Sequence, residues 1–338
     1  MRTASLLRLA AATLACALSC APSGAAPPGE SGGTPPSSRS WARSDELLRS
    51  HLWEQVRALP RGERPTVGVV LSAGAVRGLA HVGVLQVLQD AGFPIDAVAG
   101  TSMGAVIGAL YSAGLDMERL RSLPERLTFR AGSDYTTFRL IRLFLADSPL
   151  STEKFEGFIT QEIGEKRFEE LRTPFACVSM DLRTGEKIIF REGPVAPAVR
   201  ASSNLPGLFK PVLYRHRYLV DGGVVDYIPI DAVQLLGADW VLASVTEGDF
   251  SRSMPTNMAS TLSQIFDIRG ALLSRQQRRQ AQVLIEPDVG QVDFRDVTRA
   301  YEVIEKGMQA TTERLPAAEE SLILATLPGL MKRWSPKP

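Results

Sequence analysis

The chain has 338 residues, 44% of them hydrophobic and 22% charged, with a formal net charge of +1. This balance suits a globular protein with room for one large α/β domain plus extensions, and it lacks the basic excess of a nucleic-acid binder. Three cysteines (Cys16, Cys20, Cys177) and three scattered histidines (His51, His81, His216) offer no zinc- or iron-ligand spacing, so no metal and no cofactor is expected.

In chain order, Arg2 and Arg8 precede an uncharged run from Leu9 to Ser19. Such a run is too short to span a bilayer, which takes roughly 20 residues. Residues 1–19 read as a secretory signal peptide, with a buried N-terminal helix as the alternative. Cys20 follows Ala17-Leu18-Ser19, similar to a bacterial lipobox, but with the leucine two rather than three residues before the cysteine. Cys16, after Thr13-Leu14-Ala15, shares that offset. The expectation is an exported, cell-envelope protein anchored through a lipidated Cys20; cleavage near Ser23-Gly24-Ala25 would instead release a soluble periplasmic or secreted one. Without residues 1–19 the chain keeps 36 basic against 37 acidic residues, so attachment would come from acyl chains and not from charge. Residues 20–40, rich in Ala, Pro, Ser and Gly, are expected to form a flexible tether. Residues 41–65 are expected as a helical lead-in, because Trp41, Leu47, Leu48, Leu52, Trp53, Val56 and Leu59 recur at helical spacing.

The main domain is expected over 66–314, with a C-terminal tail at 315–338. Thr66–Leu71 reads as a strand, Ser72–Gly78 as a small-residue loop, and Leu79–Ala91 as a helix ended by Gly92. Ile95–Ala99 reads as a strand and Met103–Ala113 as a helix ended by Gly114. Phe175–Asp181 and Lys187–Arg191 flank Thr184-Gly185, a hairpin signal. Tyr218–Val220, Trp240–Val245 and Val283–Ile285 read as strands, and 229–237, 256–281 and 297–314 as helices. Strands alternating with helices predict an α/β fold with a mostly parallel sheet covered on both faces.

Three motifs carry chemistry. Gly100-Thr101-Ser102-Met103-Gly104 is a G-x-S-x-G between a β-type run and a helix of small residues. A serine on so sharp a turn needs neighbours without bulk, and the turn lifts its hydroxyl to the positive end of the helix. The alternative is a close-packed strand–helix turn without catalysis. Ser72-Ala73-Gly74-Ala75-Val76-Arg77-Gly78 can aim backbone N–H groups at an anion, as an oxyanion hole requires. A nucleotide phosphate loop is disfavoured, because neither G-x-G-x-x-G nor G-x-x-x-x-G-K-[ST] is present. Asp221-Gly222-Gly223 ends the apolar Tyr218-Leu219-Val220 and lets a carboxylate approach another loop closely; alone it reads as a turn.

Taken together, these blocks resemble the three signatures of the patatin-like phospholipases. The flanks Gly78–Leu85, Ala201–Gly207 and Asp221–Pro229 agree as well. The resemblance covers 66–245 and extends toward 314. It implies a three-layer α/β/α fold and a metal-free Ser–Asp dyad that hydrolyses acyl esters of lipids. By matching positions, it makes Ser102 the nucleophile, Asp221 the base, and the backbone of Gly74, Ala75, Val76, Arg77 and Gly78 the oxyanion hole. Gly100, Gly104, Gly222 and Gly223 support the turns. Two departures stand out: Ala73-Gly74-Ala75 replaces three glycines, and Tyr227 stands where asparagine is common. With alanines in place, the loop works if Gly74 alone needs a special conformation. Arg77 is open to two roles, supporting the loop or meeting a phosphate head group, and His81 reads as a packed helix residue.

Two rival readings remain at this point. One is a Ser-acid-His esterase using His216, which sits among arginines in a polar hairpin tip. The other is a degenerate scaffold that binds lipid or a partner without turnover. Phe138–Leu145, apolar with two arginines, is expected as a buried helix or as a lid touching lipid.

Overall fold

The computed structural model describes residues 38–126, 152–249, 254–255, 258–293 and 296–334. Residues 1–19, Cys20 and Phe138–Leu145 lie outside the described residues. Contacts divide the chain into Met1–Leu47 and Leu48–Pro338. Of the first unit, only the opening of helix α1 (Ser38–Ala58) is described, so Ser38 to Ser40, expected in the tether, are helical.

The second unit is an α/β sandwich on one eight-stranded sheet. The strands are β1 (Val67–Leu71), β2 (Ala97–Thr101), β3 (Phe175–Asp181), β4 (Lys187–Phe190), β5 (Val212–Tyr214), β6 (Arg217–Asp221), β7 (Trp240–Ser244) and β8 (Val283–Ile285). Their order is β5-β6-β3-β2-β1-β7-β8, with β4 beside β3. The central pairs β3–β2, β2–β1, β1–β7 and β7–β8 are parallel, while the edge pairs involving β4, β5 and β6 are antiparallel. Every residue of β1, β2 and β7 is buried. That is the reason these segments read as continuous apolar runs with no alternation: helices cover both faces of a parallel sheet.

One face carries α2 (Ala80–Asp90), α3 (Met103–Ser112) and the long α9 (Ala300–Trp334), which share a large core with Val69, Leu71 and Val98. Leu52, Trp53, Val56 and Leu59 close this core from the lead-in side, at the predicted helical spacing. The other face carries α7 (Ile230–Gln234) and α8 (Met258–Gln277) over Val70, Ala99, Ala176 and Val178. Shorter helices α4 (Met117–Arg121), α5 (Glu153–Ile163) and α6 (Val195–Ser202) were not apparent in the sequence.

Two expectations need correcting. The second strand sits two residues later than read, so Gly100 and Thr101 belong to it and Ser102 follows without a loop. The helix expected to stop at 314 runs on to Trp334 through Pro316 and Pro328, across the residues assigned to a tail. Ala318, Leu322, Ile323, Thr326 and Leu330 are buried along it. Tertiary packing of that face outweighs the local cost of two prolines.

Candidate active site

Ser102 sits between β2 and α3 with φ 56° and ψ −123°, one of four non-glycine residues with positive φ among those described. The turn is tight enough to explain its glycines. A Cβ on Gly100 would lie 2.3 Å from the Gly104 carbonyl, and one on Gly104 would lie 2.2 Å from the Leu71 carbonyl. The strained backbone is held from outside. The Ser102 N–H donates to Ser202 Oγ at 3.1 Å, and Ser202 Oγ donates to the Val178 carbonyl at 2.6 Å. Ser203 Oγ donates to the Ser102 carbonyl at 3.1 Å.

Asp221 arrives on the same edge of β3. Thr101 is the register partner of Val178, and Asp221 is the register partner of Ser179, one residue further along. β4 occupies the opposite edge, so β6 takes up the edge of β3 where β2 leaves it. Where β2 turns away into α3, β6 ends and delivers its carboxylate. The Asp221 N–H donates to the Asn204 carbonyl at 2.9 Å, and its Oδ1 accepts from the Gly223 N–H at 2.8 Å. Asn204 is itself pinned by its Nδ2 to the Lys210 carbonyl and by Thr152 Oγ1 to its Oδ1, both at 2.9 Å. Oδ2 of Asp221 has no full hydrogen bond among the described residues.

Asp221 is only 3% exposed. Burial pushes its carboxyl up to about 6, while the nearby Ser102 hydroxyl and the Gly223 N–H favour the charged form. The hydroxyl and the carboxylate are thus adjacent without being tightly bonded.

The 72–78 loop crosses the top of β1. The Ala73 N–H donates to the Tyr227 carbonyl at 3.0 Å, and the Ala73 carbonyl accepts from Ser72 Oγ and Thr246 Oγ1. No described group accepts from the Gly74 or Ala75 N–H, and both residues line the same pocket as Ser102 and Asp221. A 3-10 turn, Ala75–Leu79, then runs straight into α2.

Here the reading of the alanines is corrected. Gly74 has extended φ; what excludes a side chain there is space, since a Cβ would lie 2.2 Å from Thr246 Oγ1. The residue at left-handed φ (47°) is Ala75. Of the remaining loop positions, Arg77 lines the pocket, Val76 packs into the core, and Gly78 lies against Met103.

His81 is fully buried under this loop. Its Nε2 lies 3.0 Å from the Ser72 carbonyl and its Nδ1 2.8 Å from Ser244 Oγ. A carbonyl only accepts, so Nε2 carries the proton and Nδ1 accepts from the serine. Burial lowers its pKa to about 4, against the opposing pull of the Ser72 carbonyl, so the ring is neutral at pH 7. His216 sits with Arg215 at the β5–β6 turn, both at positive φ. β6 runs from Arg217 to Asp221, which puts the histidine roughly 15 Å from the carboxylate end at about 3.3 Å per residue. His51 is exposed and bonded to Gln55. The pocket is lined by no histidine, and the triad reading has no histidine to use.

Beside Ser102 lies a cavity of about 70 Å³, walled by Leu205, Pro206, Leu208, Val224, Leu262 and Phe266. Its polar side includes Ser102, Asp221, Tyr227 and Arg77, whose guanidinium pairs with Asp267 of α8, also in the wall. The Ala201–Gly207 block holds this site from behind. Ser202, Ser203 and Asn204 are the clamps on the backbones of Ser102 and Asp221. Their only signal in the sequence was a run of small polar residues after an apolar helix.

A model of the family described as patatin-like phospholipase matches residues 69–233. An uncharacterised NTE family protein of Mycobacterium tuberculosis (strain ATCC 25618 / H37Rv) is 34% identical over 185 residues, covering 54% of this chain and 50% of the relative. Lysophospholipase nte1 of Aspergillus fumigatus is 32% identical over 202 residues, covering 60% of this chain and 13% of that protein. The chain therefore spans about half the length of the mycobacterial relative and a small part of the fungal one. Among solved structures, human GIVD cytosolic phospholipase A2 aligns with a TM-score of 0.47 at 12% identity, covering 87% of this chain and 64% of that one.

Proposed function

With its residues 69–233 the chain belongs to the patatin-like phospholipase family, and on that premise we propose that it hydrolyses acyl esters of lipids through a Ser102–Asp221 dyad. The observation that carries the reading is the junction at β3. It sets a serine on a strained, glycine-lined turn beside a buried carboxylate with one unoccupied oxygen, at the wall of an apolar cavity.

In this mechanism Asp221 takes the Ser102 proton as the oxygen attacks the ester carbonyl. A carboxyl titrating near 6 is ionised at pH 7 and still a stronger base than an ordinary aspartate. The N–H groups of Gly74 and Ala75 receive the oxyanion, aided by the helix that follows them. The leaving alcohol takes the proton back from Asp221, leaving an acyl-enzyme on Ser102. Water then attacks, gives a proton to Asp221, and the fatty acid departs as Ser102 is reprotonated. The leucines and Phe266 around the cavity suit an acyl chain.

The test is labelling by a fluorophosphonate probe. The expected result is a single adduct on Ser102, lost in Ser102→Ala, together with release of fatty acid from phospholipid or lysophospholipid. A folded protein that takes no label and releases no fatty acid would be a non-catalytic lipid-binding scaffold. Export and lipidation at Cys20 belong to the same proposal. Incorporation of a clickable fatty acid should disappear in Cys20→Ala and persist in Cys16→Ala.

A further inference from the structure

Helix α8 has two working faces. The inward one contributes Leu262, Phe266 and Asp267 to the wall of the cavity. The outward one exposes Ile265 (55%), Ile268 (38%) and Leu272 (55%). At about 100° per residue these three side chains share an arc of roughly 60°. Arg269 and Arg275, both exposed, border the stripe, and exposed Arg279 follows just beyond the helix. The acid of this segment, Asp267, turns inward to Arg77, so no carboxylate stands on the exposed face between residues 264 and 280.

Resting on the lipid-hydrolase reading of the Ser102 site, we infer that the outward face of α8 docks the protein onto an anionic lipid surface. An aliphatic stripe between arginines is the composition of a helix lying in the plane of a membrane interface. The aliphatic side chains enter the acyl boundary while the arginines meet phosphate or carboxylate head groups. A second copy of this chain fits the same face poorly, because a two-fold contact would set its arginines against one another. Docking in this orientation places the surface against the helix that walls the cavity. The position of Arg269 couples the two, since its Nε donates to the Val224 carbonyl, three residues past Asp221.

The experiment is vesicle co-sedimentation of the full chain carrying Cys20→Ala, so that no acyl anchor contributes. Phosphatidylcholine vesicles with and without phosphatidylglycerol are compared at low and high salt. The expected result is binding to the anionic vesicles that weakens with salt. Ile265→Ser/Leu272→Ser should weaken it on the order of tenfold or more, at an unchanged melting temperature. Arg275→Gln/Arg279→Gln should lose the preference for phosphatidylglycerol, while Leu235→Ser, at an exposed leucine just past α7, should change nothing. The double aliphatic variant should also lose hydrolysis of vesicular phospholipid while keeping turnover of a soluble p-nitrophenyl ester. Equal vesicle binding by wild type and the aliphatic variant overturns the inference, as does a concentration-dependent dimer that only this variant dissolves. If the wild type binds vesicles as described but neither ester is cleaved, the hydrolase reading falls and the docking face stands.

Discussion

Thr101 and Asp221 are register partners of consecutive residues, Val178 and Ser179, on one edge of β3. The spacing of the candidate nucleophile and base is therefore set by a single peptide unit in the middle of the sheet, and not by two independent loops. The Val178 carbonyl also accepts from Ser202, which accepts in turn from the Ser102 N–H. A rigid strand thus fixes both partners, as a preorganised pair requires.

Asp221→Asn and Ser102→Ala should each lower ester hydrolysis by roughly 10⁴ or more, because nucleophile and base act as one unit. Asp221→Asn should also be more stable than the wild type at neutral pH. The wild-type carboxyl titrates near 6 when folded, above the ordinary aspartate value of 3.8. The folded protein binds that proton more tightly, so this group's contribution to stability falls as pH rises from about 4 to about 6. The difference at pH 7.5 should be about 2–3 kcal/mol and should vanish below pH 4, read by urea denaturation at both. Equal stability at both pH values would contradict a buried, raised carboxyl.

The sheet was largely legible in the sequence, because buried parallel strands such as Val67–Leu71 leave short apolar runs free of charged residues. The Ser102 and Asp221 turns were legible for the same reason, since the close contacts around Gly100 and Gly104 exclude every other residue type. Ala75 was not. Positive φ is a property of the assembled loop, and an alanine in that position carries no local mark. β5, of three residues, and α6, of eight, were not read from the sequence either. Ser202 and Asn204 make their hydrogen bonds to residues distant in sequence, which no spacing rule reports. The tail became a helix because Leu322, Ile323 and Leu330 find a core that only the folded sheet provides.

Ala75→Gly should relieve the left-handed strain at this position, where φ is 47°. A gain of about 1 kcal/mol is expected, since alanine at such angles costs about 1–2 kcal/mol. For a chain of this size that is about 2 °C in melting temperature. Turnover should stay within about threefold, because the N–H keeps its direction. Gly74→Ala should do the opposite, because its Cβ would fall 2.2 Å from Thr246 Oγ1 and displace the loop. A neutral Gly74→Ala would remove the case for this loop as the oxyanion site.

Ser202→Ala should strip the Ser102 N–H and the Val178 carbonyl of their side-chain partner. Leaving buried polar groups unpaired costs about 1–3 kcal/mol. A drop in kcat of about tenfold with little change in KM is expected, since the serine positions the nucleophile and does not line the cavity. Ser203→Ala should cost less, because the Ser102 carbonyl also accepts from the Ala105 and Val106 N–H groups. A rise in KM at constant kcat would assign Ser202 to substrate binding instead.

His81 gives the last test, because it touches the 72–78 loop without facing the cavity. It is neutral when folded, with a pKa lowered to about 4 by burial, against the ordinary imidazole value of 6.5. Its contribution to stability is present above about 6.5 and is lost as pH falls toward 4, because only the unfolded chain protonates readily. Asp221 works in the opposite sense over the same range, so the measurement belongs in an Asp221→Asn background. There, the unfolding free energy should fall by up to about 3 kcal/mol between pH 7 and pH 4 on account of His81. Adding His81→Gln should remove that slope and lower stability at pH 7, by freeing the Ser72 carbonyl and Ser244 hydroxyl. In the otherwise native enzyme, His81→Gln should reduce kcat through a loosened loop while leaving the acidic limb of the pH profile near 6, where Asp221 sets it. Loss of that limb in His81→Gln would make the histidine the titrating base and would overturn the dyad.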